Sequence, residues 1–432
     1  MLGTIFGLML LLLVLTVPIG VVLLCVSLSP VLIDHSFIAS VQYVLRNMVG
    51  GLNSTPLIAI PLFILGGILM AKGGIAQKLF NVFAYIIGEK TGGMPCASIV
   101  TCLFYGAISG SGPATTAAVG TMTIPVLDEM GYDHSFSAAT VAVAGGLGVI
   151  IPPSIPFIVY SMASGVSVGD MFLAGIIPGC LIAVCLMAYA IYYCRTKGEN
   201  KEKIHVTVSA LKNKGFMCVL KESFWAILSP VFILGGIYSG VVTPTEAALI
   251  GVIYSALVGM FIYKTLSLKD LIPACIETVK TTAPMLIVLA AAASFSRVLS
   301  LLQASTVVEN LLGPLLSHKV ILLLIINLVL LVLGMIIDTS PNILIFIPVM
   351  LPLAEAVGVD AVHFGIIMVV NLAIGFVTPP VGVNLYVAQS ISSVPVLKLA
   401  QKAAPYIGMF IVALLLITFV PQLSTLLVEL SK

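Results

Sequence analysis

Residues 106–118 read Gly106-Ala-Ile-Ser-Gly-Ser-Gly-Pro-Ala-Thr-Thr-Ala-Ala118, in the middle of a run without charge, residues 91–127. That run exceeds the roughly 20 residues that one helix needs to cross a bilayer. Irregular backbone at membrane depth is tolerated only where protein or a watery cavity satisfies its polar groups. We therefore predict a re-entrant helical hairpin over about residues 91–128, with a polar Gly/Ser/Pro tip.

A second interruption has the same form. Residues 320–354 are broken by Asp338-Thr-Ser-Pro341, and Asp338 is the only acidic residue of that run. Gly106 and Pro113 each have a counterpart 228 positions later, Gly334 and Pro341. The sequence therefore predicts a second hairpin over about residues 318–357.

Two proline pairs repeat at nearly the same offset. Pro152-Pro153 corresponds to Pro379-Pro380 and Gly148 to Gly375, each 227 positions apart. We interpret both pairs as unwound points in crossing helices. The offset, which is the same to within one residue, predicts two homologous repeats, residues 1–194 and 223–432, which we expect to be inverted. Broken segments at corresponding positions of two halves point to a transport site near the midplane.

Composition fixes the class of protein. Apolar residues make up 60% of the chain, charged residues only 8%, and the mean hydropathy is +1.21. A soluble protein carries about 25% charged residues, so most of this surface faces lipid. The charge-free residues 1–33 lack the basic start of a signal peptide and predict a retained first helix. We predict an all-α polytopic membrane protein.

The two predicted repeats are joined by a basic segment. Residues 195–222 hold seven Lys or Arg residues against three glutamates. Because loops rich in Lys and Arg stay inside the cell, we predict a cytoplasmic linker. Nothing in the composition indicates a nucleic-acid partner.

The first hairpin tip has the chemistry of a sodium site. Ser109 and Ser111 supply hydroxyl oxygens, and the neighbouring glycines free backbone carbonyls to turn toward one point. The alternative is a stretch of small residues that packs helices together, which is common in membranes. The duplicated break at residues 151–153 favours the ion site, since two broken elements are expected to face each other.

Two charged residues within apolar runs have two interpretations each. An intramembrane carboxylate such as Asp338 indicates function by default, yet an Asp at this position also caps a helix. Arg297 suits bidentate recognition of a carboxylate, but a long cation near a helix end also snorkels to the interface. We find no nucleophile with a base, no metal-ligand spacing and no phosphate-binding lysine loop, so an enzyme is not expected.

Five motifs are distributed over nearly the whole chain. They are residues 106–118 quoted above, Pro125-Val-Leu-Asp-Glu-Met-Gly-Tyr132, Gly148-Val-Ile-Ile-Pro-Pro-Ser154, Thr243-Pro-Thr-Glu-Ala-Ala248 and Gly375-Phe-Val-Thr-Pro-Pro-Val-Gly-Val-Asn384. In this combination the chain resembles one family, the large M subunit of tripartite ATP-independent periplasmic (TRAP) transporters.

The resemblance implies an elevator-type carrier of the bacterial inner membrane, which takes up sialic acid, C4-dicarboxylates or similar organic anions with Na⁺. It also implies two partners, a small four-helix membrane subunit on a separate chain and a soluble periplasmic binding protein. By motif position it implies one sodium site at Ser109, Ser111, Gly148, Ile151 and Pro153. A second would lie at Asp338, Thr339, Gly375, Thr378 and Pro380, with Arg297 and Ser154 on the substrate.

One alternative stays open at this stage. A stand-alone sodium symporter for organic anions, built on the same two-hairpin plan, would work without a binding protein. Transport with and without a binding protein distinguishes the two.

Overall fold

The computed structural model describes residues 1–34, 37–313 and 318–431, and every regular element in them is helical. A 3₁₀ turn covers Gly146–Val149 and a π turn covers Val258–Ile262. In chain order the α-helices are α1 (Leu2–Val14), α2 (Ile19–Ile33), α3 (Val41–Leu52), α4 (Thr55–Lys72), α5 (Ile75–Ile87), α6 (Gly93–Ser109), α7 (Gly112–Glu129), α8 (His134–Gly145), α9 (Ile155–Ser164), α10 (Val168–Lys197), α11 (Lys201–Asn213), α12 (Phe216–Tyr238), α13 (Pro244–Leu257), α14 (Leu268–Leu301), α15 (Ala304–Leu312), α16 (Lys319–Gly334), α17 (Thr339–Ala356), α18 (Ala361–Gly375), α19 (Val383–Ser392), α20 (Val396–Phe419) and α21 (Gln422–Ser431).

Seven helical stretches in the described residues are long and apolar enough to cross a membrane. They are α4, α10, α12, α13 continued through the π turn, α14, α17 and α20. Several shorter apolar helices, among them α6 and α16, accompany them. The predicted all-α polytopic membrane class is confirmed.

The first predicted tip separates two helices that lie side by side. Helix α6 ends at Ser109 because Gly110 adopts a left-handed conformation, with φ of +60°, which glycine enters without steric cost. Helix α7 then begins after Ser111, whose hydroxyl accepts a hydrogen bond from the Ala114 N–H. The chain thus reverses within two residues, so both arms can pack together.

The helices pack in two groups. Helices α1–α4 and α12–α14 contact one another, while α6–α10 and α16–α21 form the other group. Within the second group the packing is reciprocal: α9 lies against α17, and α19 lies against α7. Likewise α8 contacts α20, and α18 contacts α10. This exchange between corresponding helices supports the two-repeat organisation, which stays a prediction.

The basic segment between the predicted repeats packs on the first hairpin. Ile204 and Val208 of α11 are buried in a small core with residues of α5, α6 and α7. The Glu199 carboxylate accepts hydrogen bonds from the Tyr132 hydroxyl at 2.6 Å and from the Gly92 N–H at 3.0 Å. Because Gly92 precedes α6 and Tyr132 follows α7, Glu199 ties both ends of the hairpin to this segment.

A histidine joins the end of the first hairpin to the opposite half of the chain. His134 Nδ1 lies 2.6 Å from Asp128 Oδ2, and Nε2 lies 2.7 Å from the Ser392 carbonyl oxygen. Both partners are acceptors, so the link is complete only when both ring nitrogens carry protons. The Ser392 hydrogen bond, followed by Asp128, raises the pKa of His134.

We expect this link to stabilise the protein in acid. A group whose pKa is raised on folding contributes fully below its unfolded pKa, near 6.5, and loses that contribution as pH rises through the folded value. The ring is half exposed, so the effect is small. The melting temperature of wild type should exceed that of His134→Gln at pH 5.5, by on the order of 1 °C, and by less at pH 8.5. A difference that grows with pH would contradict the assignment.

Candidate functional site

Oxygen atoms crowd the first hairpin tip. Ser109 Oγ lies 2.8 Å from Thr115 Oγ1, and the Thr115 hydroxyl donates to the Ser111 carbonyl oxygen at 2.8 Å. Ser109 and Thr115 are buried, whereas Ser111 is partly exposed. Hydroxyl and carbonyl oxygens without a carboxylate are neutral ligands that a hard cation accepts.

The stretch between α8 and α9 touches this tip backbone to backbone. A Cβ added to Gly148 would lie 2.7 Å from the Ser111 carbonyl oxygen, and one added to Gly106 would lie 2.7 Å from Gly148 Cα. A Cβ on Gly110 would lie 2.9 Å from the Pro153 carbonyl oxygen, and the Ile155 N–H donates to the Gly110 carbonyl at 3.3 Å. Ser109, Ser111, Gly148 and Pro153 therefore come together.

Ile151 belongs to the same non-helical stretch but its side chain points elsewhere. Its buried side chain packs on α10, where a Cβ on Gly179 would lie 2.8 Å from Ile151 Cγ1. Only the backbone of Ile151 is therefore available to the first predicted sodium site.

The second tip is built on a helix cap. Asp338 Oδ1 accepts from the Thr339 N–H at 2.8 Å, so Asp338 caps α17 as one of its two interpretations requires. The carboxylate is nevertheless exposed to a cavity. Thr339 Oγ1 is buried and has no hydrogen-bond partner among the described residues.

The stretch between α18 and α19 meets the first arm of this second hairpin. A Cβ on Gly375 would lie 2.7 Å from Gly334 Cα, and the Val381 N–H, next to Pro380, donates to the Met335 carbonyl at 3.2 Å. Thr378 Oγ1 donates to the Ile374 carbonyl at 2.8 Å. Gly375 and the backbone beside Pro380 thus lie against the end of α16, just before the second tip.

Both tips line one cavity of about 370 Å³, which we call the tip cavity. Its wall on the second helix group includes Ser109–Ser111 and Asp338–Ser340. On the first group, α14 contributes Glu277, Thr281 and Met285. Among its lining residues there are two carboxylates and no Lys or Arg.

Ser154 and Arg297 do not reach the tip cavity. Ser154 is buried and caps α9: its hydroxyl donates to the Val149 carbonyl at 2.6 Å and accepts from the Phe157 N–H at 3.4 Å. Arg297 lies 16 residues after Thr281 on α14, about 24 Å along the axis. It lines a separate cavity of about 560 Å³, which we call the outer cavity.

Sequence reasoning missed Asn384, although it closes one of the quoted motifs. Its amide is fully buried and donates to the Ala142 carbonyl at 3.1 Å, while Oδ1 has no described partner. A Cβ on Gly112, at the start of α7, would lie 3.4 Å from that oxygen. The available signal was that residues 361–397 are mostly apolar and hold only three amide side chains, Asn371, Asn384 and Gln389, since buried polar groups need partners.

Comparison with known proteins gives a consistent result. The sequence pattern described as "Tripartite ATP-independent periplasmic transporter, DctM component" matches residues 6–423. The isethionate TRAP transporter permease protein DctMQ of Oleidesulfovibrio alaskensis is 40% identical over 98% of this chain. The chain spans only 65% of that relative's length.

Two other relatives are matched over most of their length. The sialic acid TRAP transporter large permease SiaM of Vibrio cholerae is 34% identical over 100% of this chain and 99% of its own. The C4-dicarboxylate large permease DctM of Pseudomonas aeruginosa is 37% identical over 85% of each.

Solved structures with the same fold are also transporters. The YdaH transporter of Alcanivorax borkumensis has a TM-score of 0.64, covering 95% of this chain and 98% of its own at 16% identity. The MtrF protein of Neisseria gonorrhoeae has a TM-score of 0.60, covering 90% and 85% at 12% identity. At these identities the likeness concerns the fold alone.

Proposed function

We propose the function from one premise: the chain belongs to the DctM component family of tripartite ATP-independent periplasmic transporters. It is a multi-pass transporter permease of the inner membrane and not an enzyme. The finer proposal is sodium-coupled uptake of a small organic anion.

The substrate class follows from the relatives. They are named for isethionate, C4-dicarboxylates and sialic acid, all of them small molecules with a carboxylate or sulfonate group. We propose the same class here. We also propose the family's partners, a small four-helix membrane subunit and a soluble periplasmic binding protein that delivers the substrate.

The observation that carries the sodium proposal is the charge of the tip cavity. An anion there would meet Glu277 and Asp338 and no lining Lys or Arg. Lys72 lies 3.0 Å from Glu277 and offsets that charge only in part, because both side chains are solvent-exposed. Two bound Na⁺ ions, one at each tip, would supply the missing positive charge, and the crowded hydroxyl and carbonyl oxygens suit them.

The packing of two helix groups supports an elevator-type mechanism. The tips, with the stretches they touch, belong to the group of α6–α10 and α16–α21, while Glu277 and Thr281 belong to the other. A cavity between two groups can change its exposure when one group moves past the other. In this proposal α6–α10 and α16–α21 form the mobile body.

The test is uptake into proteoliposomes that contain this chain, the small subunit and the binding protein. With isethionate, succinate and N-acetylneuraminic acid as probes, we expect uptake of at least one that requires an inward sodium gradient. Substrate affinity should rise with Na⁺ and sodium affinity with substrate, by reciprocity. Full uptake driven by a potassium diffusion potential without Na⁺ would contradict the mechanism, and uptake without the binding protein would favour a stand-alone symporter.

A further inference from the structure

One row of side chains on α14 connects the two cavities. The row takes every fourth residue: Glu277, Thr281, Met285, Leu289, Ala293 and Arg297. The first three line the tip cavity and the last three line the outer cavity. Rows of this spacing form continuous ridges inclined to the helix axis, so the two cavities lie along one ridge between the same two helix groups.

Arg297 places a cation in the outer cavity, and among the residues that the structure describes this cation has no counter-ion. The Arg297 side chain is exposed to that cavity, and no described carboxylate lies within ion-pair distance. Its polar neighbours are Asn47, Ser296 and Ser300, all on α3 and α14. The facing wall, from α9 and α17, is apolar and includes Met162, Leu344 and Pro348.

An organic anion in the outer cavity would therefore be held on one side only. The lining residues of the facing wall have no hydrogen-bonding side chain for the other polar groups of the anion. The two tips, in contrast, carry hydroxyl and carbonyl oxygens. The tips and the facing wall lie on the same helices: α17 begins at the second tip and continues to Leu344 and Pro348. A shift of this body along α14 would bring the tips opposite Arg297.

We propose that Arg297 binds the carboxylate or sulfonate of the substrate only after the tips have moved to the outer cavity. The contact is thus made in one transport position and absent in the other. This inference rests on the proposed function. The displacement it requires is at most the rise between Thr281 and Arg297, about 24 Å for 16 residues.

The ridge carries the Glu277 carboxylate at one end and the Arg297 guanidinium at the other. An anion is therefore attracted to the Arg297 end and repelled from the Glu277 end. Glu277 pairs with Lys72, at the end of α4, at 3.0 Å. The next helix, α5, carries Lys78, which pairs at 2.9 Å with Glu222, the last residue of the basic segment. That segment is cytoplasmic by the positive-inside rule, so Arg297 lies toward the periplasm. An anion would gain Arg297 outside and face Glu277 inside, and such differential binding favours capture outside and release inside.

The test compares two locked positions. The background is a variant without the eight native cysteines. In it, Ala114→Cys is paired with Thr281→Cys, which holds the tips beside Thr281 as in the structure; we call this the inner position. Ala114→Cys is paired with Ala293→Cys to hold them in the outer position. A short bifunctional thiol reagent locks each pair in sodium-containing membranes, and the probe is whichever of isethionate, succinate or N-acetylneuraminic acid the wild type transports.

We expect Arg297→Ala to weaken probe binding about tenfold in the outer-locked protein and less than twofold in the inner-locked protein, with partial recovery in Arg297→Lys. Arg46→Ala, which removes the same charge from α3 outside the cavity lining, is the control and should change neither. Equal binding by Arg297→Ala in the outer-locked protein would assign the residue to snorkelling and overturn the inference.

Two further outcomes bear on different parts of the inference. If the 114–293 pair never links in a protein that transports the probe, the displacement is wrong while sodium-coupled uptake stands. If the wild type takes up none of the three probes, the proposed function fails and this inference fails with it.

Discussion

Replacement of Gly148 by Ala is expected to reduce sodium-dependent uptake to less than about one-tenth of wild type. The added Cβ would lie 2.7 Å from the Ser111 carbonyl oxygen and would also meet the Thr115 hydroxyl. A backbone oxygen cannot rotate away as a flexible side chain does, so the tip must shift. Overpacking of this kind costs roughly 1–3 kcal/mol, and here the shift displaces oxygens proposed to bind sodium.

The matched control is Gly408→Ala in α20. There an added Cβ would have no heavy atom within 4 Å, so uptake should stay near wild type. Both variants are compared for yield and for elution as a single species in detergent, which separates misfolding from loss of function. Wild-type uptake by Gly148→Ala would show that the close approach of tip and broken helix is not needed for transport.

Asp338→Asn is expected to raise the sodium concentration for half-maximal uptake by roughly thirtyfold while leaving the fold intact. Asn caps a helix about as well as Asp, so the hydrogen bond to the Thr339 N–H is retained. Only the negative charge facing the tip cavity is lost. A weakened cation contact of about 2 kcal/mol corresponds to that factor.

The comparison with Asp338→Ala separates the two roles of this residue. Alanine removes both charge and cap, and loss of a cap costs about 1 kcal/mol of stability. We therefore expect similar sodium dependence in both variants but a lower melting temperature for Asp338→Ala alone. An unchanged sodium dependence in Asp338→Asn would restrict the carboxylate to its capping role.

The sequence was most informative where the backbone itself is unusual. Gly110 and the proline pairs interrupt helices through local steric rules, so their positions can be predicted without knowing what they touch. Ser154 shows the limit of that reasoning. Its place in a motif suggested a substrate ligand. In the structure its hydroxyl donates a hydrogen bond to the Val149 carbonyl and accepts one from the Phe157 N–H.

Arg297 shows a second limit. Its charge in an apolar helix marks it as important, but its distance from the tips depends on how α14 lies between two helix groups. Asn384 was overlooked for the same reason, since its burial beside Gly112 is a contact between the two halves of the chain.

By itself, the sequence determined the all-helical membrane class, the two polar interruptions at residues 109–113 and 338–341, and the two proline breaks. These follow from hydropathy and backbone sterics, which act over a few residues. Only the tertiary structure decided that both tips share one cavity, that this cavity is lined by carboxylates without lysine or arginine, and that Arg297 faces another. Such facts depend on packing between helices far apart in the chain, because low-specificity apolar faces leave many arrangements open until side-chain shapes select one.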